Sequence, residues 1–141
     1  MTLVDAIAAD DIAAWVDAFL RATGNNVELA DGLRKAPRWW RGPIRVPLGE
    51  LVRVVGPEPE MEYYEPEASW QRRIAEMIES LERGWDPPPV IAEYRAGTLS
   101  VRDGGHRVAA LARARRDAAW TIIWFNDQSN LNEYWRSNVP G

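Results

Sequence analysis

A chain of 141 residues, 46% apolar and 27% charged, has the size and balance of one globular domain and is not a disordered segment. It contains no cysteine, which excludes disulfides, thiolate metal sites and a cysteine nucleophile and fits a reducing, cytoplasmic setting. A net charge of −4 argues against bulk electrostatic attachment to DNA or membrane, and neither a signal-peptide pattern nor an apolar run of roughly 18 residues is present.

In chain order, residues 2–22 predict one amphipathic helix. Val4, Ile7, Ala8, Ile12, Trp15, Val16 and Phe19 recur at helical spacing, and Thr2 with Asp5 three residues on has the form of a capping box. Gly24-Asn25-Asn26 stops that helix, and Asp31-Gly32 predicts a turn. Residues 34–47 are basic and aromatic, broken by Pro37, Pro43 and Pro47; within them 44–46 predicts a short strand. Residues 48–55 suit a short helix or strand, and 56–60 a loop. A helix is predicted over 69–83 from the stripe Trp70, Ile74, Met77, Ile78, Leu81, ended by Gly84. Residues 85–89, with three prolines, form an extended connector. A hairpin follows: strand 90–94, turn 95–97, strand 98–102. Asp103-Gly104-Gly105 is a tight turn into an Ala- and Arg-rich helix over 106–116, then a buried strand over 119–125. Leu131, Tyr134 and Trp135 predict one or two last helical turns packed back on the body. This alternation is that of an α+β domain with a small mixed sheet flanked by helices.

The segment that carries chemistry is Asp103-Gly104-Gly105-His106-Arg107, where a strand runs through two glycines into a helix. Glycines admit positive φ and close approach of a ligand. The first turn of a helix presents unpaired N–H groups and a partial positive charge, so it attracts anions. Arg107 at that end opposes the helix dipole unless an anion or carboxylate compensates it. The competing reading needs no ligand: Asp103 pairs with Arg107 and stabilises the helix start. His106 is the sole histidine and, without cysteine or a second histidine, makes a poor metal site.

Asp-Gly-Gly-His-Arg followed by an Ala-rich helix resembles the signature of the ParB/sulfiredoxin superfamily. The element order over 44–126 resembles it too, leaving 1–43 as an N-terminal helical extension and 127–141 as a C-terminal tail packed on the domain. The resemblance implies a nucleotide-phosphate site. Gly104, Gly105, His106 and Arg107 would form the phosphate cradle, and Asp103 would orient Arg107 or help hold Mg²⁺ with its water. The sulfiredoxin cysteine would fall at Gly105, so that chemistry is excluded. A ParB partition protein adds a helix-turn-helix and a dimerisation domain, and the expectation is of a single domain instead. By likeness to the free-serine kinase branch, Glu67 would be a general base, with Asp103 and His106 beside it, in a Mg²⁺-dependent nucleotide hydrolase or phosphotransferase. Glu67 equally suits a plain N-terminal helix charge.

Other features carry less. Lys35, Arg38, Trp39, Trp40, Arg41 and Arg45 could stack bases and touch phosphates, or could be a cover with indoles inward and cationic heads in solvent. Arg113, Arg115 and Arg116 suit the C-terminal dipole of their helix. Glu58, Glu60, Glu62, Glu65 and Glu67 read as a solvated acidic loop. A nucleotide is the expected ligand; DNA, a protein partner or a second copy, bound without turnover, are the alternative, and a ParB-like nuclease is a third.

Overall fold

The structure is a computed structural model and describes residues 2–138. Helices α1 (Leu3–Ala8), α2 (Ile12–Arg21) and α3 (Val27–Leu33) lead into strand β1 (Trp39–Pro47), a 3₁₀ turn at Leu48–Glu50, and short strands β2 (Leu51–Arg53), β3 (Val55–Gly56) and β4 (Tyr63–Tyr64). Helix α4 (Glu67–Glu82), hairpin β5 (Val90–Arg95) and β6 (Thr98–Asp103), helix α5 (Gly105–Arg113), strand β7 (Ala118–Phe125) and helix α6 (Gln128–Asn138) complete the chain. Five strands form a mixed sheet in the order β1-β7-β5-β6-β2. β5 is parallel to β7 and antiparallel to β6, which is parallel to β2. The expected α+β architecture is therefore present.

Both faces of the sheet are covered, which explains why Thr121 to Phe125 is buried at every position. On one face Val90, Ala92, Val101, Ile123 and Phe125 pack against Trp70 and Ile74 of α4 and Val108 and Leu111 of α5. Tyr134 of α6 closes an aromatic group with Tyr94 and Phe125, ring centroids 5.4–5.6 Å apart. On the other face Ile91, Ile122 and Trp124 pack against Val16, Leu20 and Ala30 of the N-terminal helices. Those helices are thus one layer of a three-layer sandwich. None of the described helices is long and apolar enough to cross a membrane.

Several local expectations are corrected. The helix over 2–22 is two helices: Asp10 takes φ 54 and Asp11 caps α2, its carboxylate accepting from the Ala14 N–H at 3.3 Å. A second cap outcompeted helix continuation. The capping box of Thr2 and Asp5 is present. Asp31-Gly32 lies inside α3, not in a turn; Asn26 caps that helix, and burial of Ala30 against α2 overrides the turn propensity. The strand expected at 44–46 spans Trp39–Pro47. Pro43 is tolerated because β1 is an edge strand whose register shifts between Arg41 and Ile44, with Gly42 at φ 118. The last helix has 11 residues rather than one or two turns.

Phe125 has no exposed surface and touches both Tyr94 and Tyr134. Phe125→Ala is expected to lower unfolding free energy by about 3–5 kcal/mol, read from urea denaturation; a loss below about 1 kcal/mol would contradict this account of the core.

Candidate functional site

β6 ends at Asp103, and Gly104 turns the chain at φ 108, ψ 20 into α5. A Cβ on Gly104 would sit 2.7 Å from both Arg107 Nη2 and Val90 Cγ1, and one on Gly105 would sit 2.6 Å from Val55 Cγ1. The loop is pressed between β3, β5 and its own helix, and only glycine fits Gly104 in both space and conformation. With glycine at the N-cap there is no side-chain cap. Val108 N–H bonds Gly104 O at 3.0 Å, while no acceptor within the described residues takes the N–H groups of Gly105, His106 and Arg107.

Arg107 stands behind this loop. Its Nη2 donates to Asp103 Oδ2 at 3.2 Å and to Pro89 O at 3.1 Å, and both charged side chains are about nine-tenths buried. Asn26 of the N-terminal layer donates to Asp103 Oδ1 at 3.1 Å, and the Phe19 ring lies 5.9 Å from the guanidinium carbon. Burial lowers the Arg107 pKa, with Asp103 opposing. The guanidinium expected at the phosphate is thus committed to Asp103, the pairing that needs no ligand.

His106 Nε2 lies 2.8 Å from Glu65 Oε2, its ring 4.6 Å from that of Trp70. Arg73 donates to Glu65 Oε1 at 2.9 Å. Burial lowers the His106 pKa, Glu65 raises it, and the cations Arg73 and Arg107 lower it again, for a net depression. For Glu65, burial raises the pKa, but hydrogen bonding and charge from His106 and Arg73 outweigh it and leave the carboxyl below its usual value. A neutral His106 donating Nε2–H to an ionised Glu65 satisfies both directions. Glu67, expected as the carboxylate of the site, is exposed at the first turn of α4, accepts from Gln71, and lines a different groove beside Trp70 and Arg53. The carboxylate beside His106 is Glu65; nothing in the spacing separates Glu65 from Glu67, because their difference is set by where α4 begins.

The loop opens onto a cleft of about 990 Å³. One wall is the segment Gly24 to Asn26 with α3; the other is the polar half of the sheet face that the N-terminal helices leave uncovered. That wall holds Glu93, Arg95 and Arg102; Tyr63, 58% exposed, also lines the cleft. Glu93 went unnoticed in the sequence, although a carboxylate within the strand Val-Ile-Ala-Glu-Tyr-Arg was a visible exception to apolar burial. Its Oε2 accepts from Arg95 at 2.8 Å and Asn126 at 2.9 Å. Burial raises its pKa, but those bonds and the charges of Arg95 and Arg102 prevail and keep it low.

The basic, aromatic stretch is a cover. Arg38 donates to Leu33 O, Gly32 O and Asn126, Trp40 packs on Trp124, and Arg41 lies 4.2 Å over Trp135. The acidic loop is paired rather than merely solvated: Glu58 meets Arg53, Glu62 meets Arg102 at 2.7 Å, and Glu65 meets Arg73. Loop closure brought each arginine within reach.

No family model matches the chain, and no curated protein matches it. Among solved structures it is similar in fold to a sulfiredoxin from Arabidopsis thaliana, with a TM-score of 0.46 and 19% identity over 66% of this chain and 96% of that one. It is similar to a conserved hypothetical protein from Pyrococcus furiosus, TM-score 0.44 and 18% identity over 57% of this chain and 31% of that one. It is also similar to a Pnob8-like ParB-N domain, TM-score 0.44 and 13% identity over 72% of this chain and 38% of that one.

Two outcomes are expected from this geometry. Gly104→Ala should destabilise the fold by roughly 1–3 kcal/mol, through positive φ and the crowding of Arg107 and Val90; an unchanged denaturation midpoint would contradict it. His106 should titrate below the ordinary value of 6.5. The unfolded chain then takes up its proton first, so stability present at neutral pH declines as pH falls below about 6.5 and on through the folded pKa. Proton NMR of this single imidazole reads the midpoint directly, and a value above 6.5 would overturn the assignment.

Proposed function

We propose that this chain binds a nucleotide by its phosphate at the Gly104-Gly105-His106 loop. The observation that carries the reading is the uncapped start of a nine-residue helix, whose free N–H groups open onto a cleft of about 990 Å³. That volume is at the upper end of the range for small-ligand sites. A helix N-terminus with oriented N–H groups favours an anion by charge and by hydrogen bonding. The glycines let an oxygen approach the backbone closely, and Tyr63 offers an exposed ring face for a base.

In this reading the backbone holds the phosphate, and Arg107 and Asp103 hold the backbone. Arg73 and Arg102, both within the cleft lining, add positive potential although each is paired with a carboxylate. Mg²⁺ would arrive on the phosphate oxygens and neutralise their charge. The His106–Glu65 pair is the proton-handling group of the cleft: a neutral imidazole oriented by a carboxylate is suited to general acid or base work on a phosphoryl transfer or hydrolysis.

Calorimetric titration of ATP, ADP, CTP and GTP, each with Mg²⁺, tests binding, and ¹⁵N-resolved NMR locates it. Binding is expected, with the largest amide shifts at Gly105 and His106, and Gly104→Ala should weaken it about tenfold or more. No binding by well-folded wild type would overturn the proposal. Release of inorganic phosphate, lost in Glu65→Gln with binding intact, would add turnover; binding without release would make the chain a non-catalytic nucleotide-binding module.

A further inference from the structure

We propose that Glu93 reads the non-phosphate end of the ligand, its Oε1 accepting a hydrogen bond from a ribose hydroxyl or an exocyclic amine of the nucleotide. The inference rests on the nucleotide reading and adds a recognition residue on a different wall of the same cleft.

Glu93 is the buried carboxylate on the central strand β5, 8% exposed, with Trp124 of β7 as its register partner. On this face Glu93 stands between a polar side, with Arg95, Ser100 and Arg102, and an apolar one, where Ile91 and Ile122 have no exposed surface. A carboxylate here costs several kcal/mol in desolvation unless it is paired, and for stability alone an apolar side chain of similar volume does as well or better. Its partners are recruited from elsewhere. Arg95 reaches back from a position 70% exposed to meet Oε2, and Asn126 approaches that same oxygen from beyond β7. Oε1 is left with Arg102 Nη2 at 3.9 Å, too long for a hydrogen bond. An ionised carboxylate oxygen can accept two bonds, and this one accepts none among the described residues.

The position has a second unmatched group. Trp124 Nε1 is fully buried and has no acceptor, and its ring lines the cleft beside Glu93. Buried polar groups are normally satisfied, and an exception calls for an explanation. Here the unfilled acceptor belongs to a residue that lines the cleft, and its register neighbour carries an N–H buried without an acceptor. Arg95, Asn126 and Arg102 fix the Glu93 carboxylate in place and keep it ionised. Such a group selects for N–H or O–H and against a bare anion, so it complements a phosphate-binding loop rather than duplicating it. The phosphate end belongs at α5 and the donor-bearing end at Glu93.

The test uses the full chain and a common set of probes, each with Mg²⁺. These are pyrophosphate; whichever of ADP and CDP binds more tightly; its deaminated counterpart (IDP or UDP); and its 2′,3′-dideoxy counterpart. Each is titrated into wild type and into Glu93→Gln. The preferred diphosphate should lose about tenfold or more in affinity in Glu93→Gln while pyrophosphate stays within about twofold. In wild type one of the two altered nucleotides should show the same loss, and Glu93→Gln should weaken that analogue no further. Loss with the deaminated compound identifies the amine as the group bound; loss with the dideoxy compound identifies the ribose. Wild type that binds both altered nucleotides as tightly as the parent overturns the role of Glu93, and this arm needs no variant to fold. Unchanged diphosphate affinity in Glu93→Gln overturns it as well, with the phosphate site left standing. Failure of wild type to bind even pyrophosphate overturns both readings.

Discussion

The buried ion pair between Asp103 and Arg107 holds together three stretches of chain: the β6–α5 turn, the connector before β5 and the N-terminal layer. Asp103 ends β6, Arg107 lies in the first turn of α5, Pro89 precedes β5, and Asn26 belongs to the N-terminal layer; all meet at this one pair. With both side chains about nine-tenths buried, removing one partner leaves an uncompensated charge, a loss of about 3–5 kcal/mol in comparable buried pairs. The geometry of the pair also explains Gly104. The guanidinium passes so close beneath the loop that a Cβ would collide with it. The cation that opposes the helix dipole is thereby neutralised from behind, and the N–H groups of the first turn remain directed outward.

The same arrangement would let the proposed anion site stand on an acidic protein. Three arginines around the cleft are matched by carboxylates, Arg73 by Glu65, Arg95 by Glu93 and Arg102 by Glu62, and Arg38 is held by backbone carbonyls and Asn126. Exposed or half-exposed pairs of this kind contribute little stability each, but they order the walls and leave a modest local field. In the proposed reading, attraction for a phosphate comes chiefly from the backbone of α5, whose partial charge does not titrate. His106 fits this picture as a neutral ring held by Glu65 and Trp70.

Much of the fold could be read from local rules, and the failures have physical causes. The α4 stripe, the hairpin with positive φ at Ala96 and Gly97, and the glycine turn before α5 are set by residues within a few positions of one another. The break at Asp10 and Asp11 was hidden because apolar spacing continues across it, while the cap that Asp11 gives α2 decides for two helices. Asp31-Gly32 carried a turn signal that burial of Ala30 overrode. In the site, the glycines, His106, Arg107 and Asp103 were visible as a contiguous motif. Glu65, 41 positions from His106, and Asn26, 77 positions from Asp103, meet their partners only through topology. Glu93 was recognisable as an anomaly in an apolar strand, yet apart from Arg95 the groups that make it informative come from two other stretches of chain, at Arg102 and at Trp124 to Asn126.

In the proposed reading, backbone N–H groups at the start of α5 take the phosphate while Arg107 stays with Asp103. A crystal structure of the protein with pyrophosphate and Mg²⁺ tests it most directly. Phosphate oxygens are expected within hydrogen-bond distance of the Gly105 and His106 nitrogens, with the Asp103–Arg107 pair intact. Pyrophosphate bound elsewhere, or an Arg107 guanidinium that leaves Asp103 to grasp it, would overturn this assignment of the phosphate to the backbone.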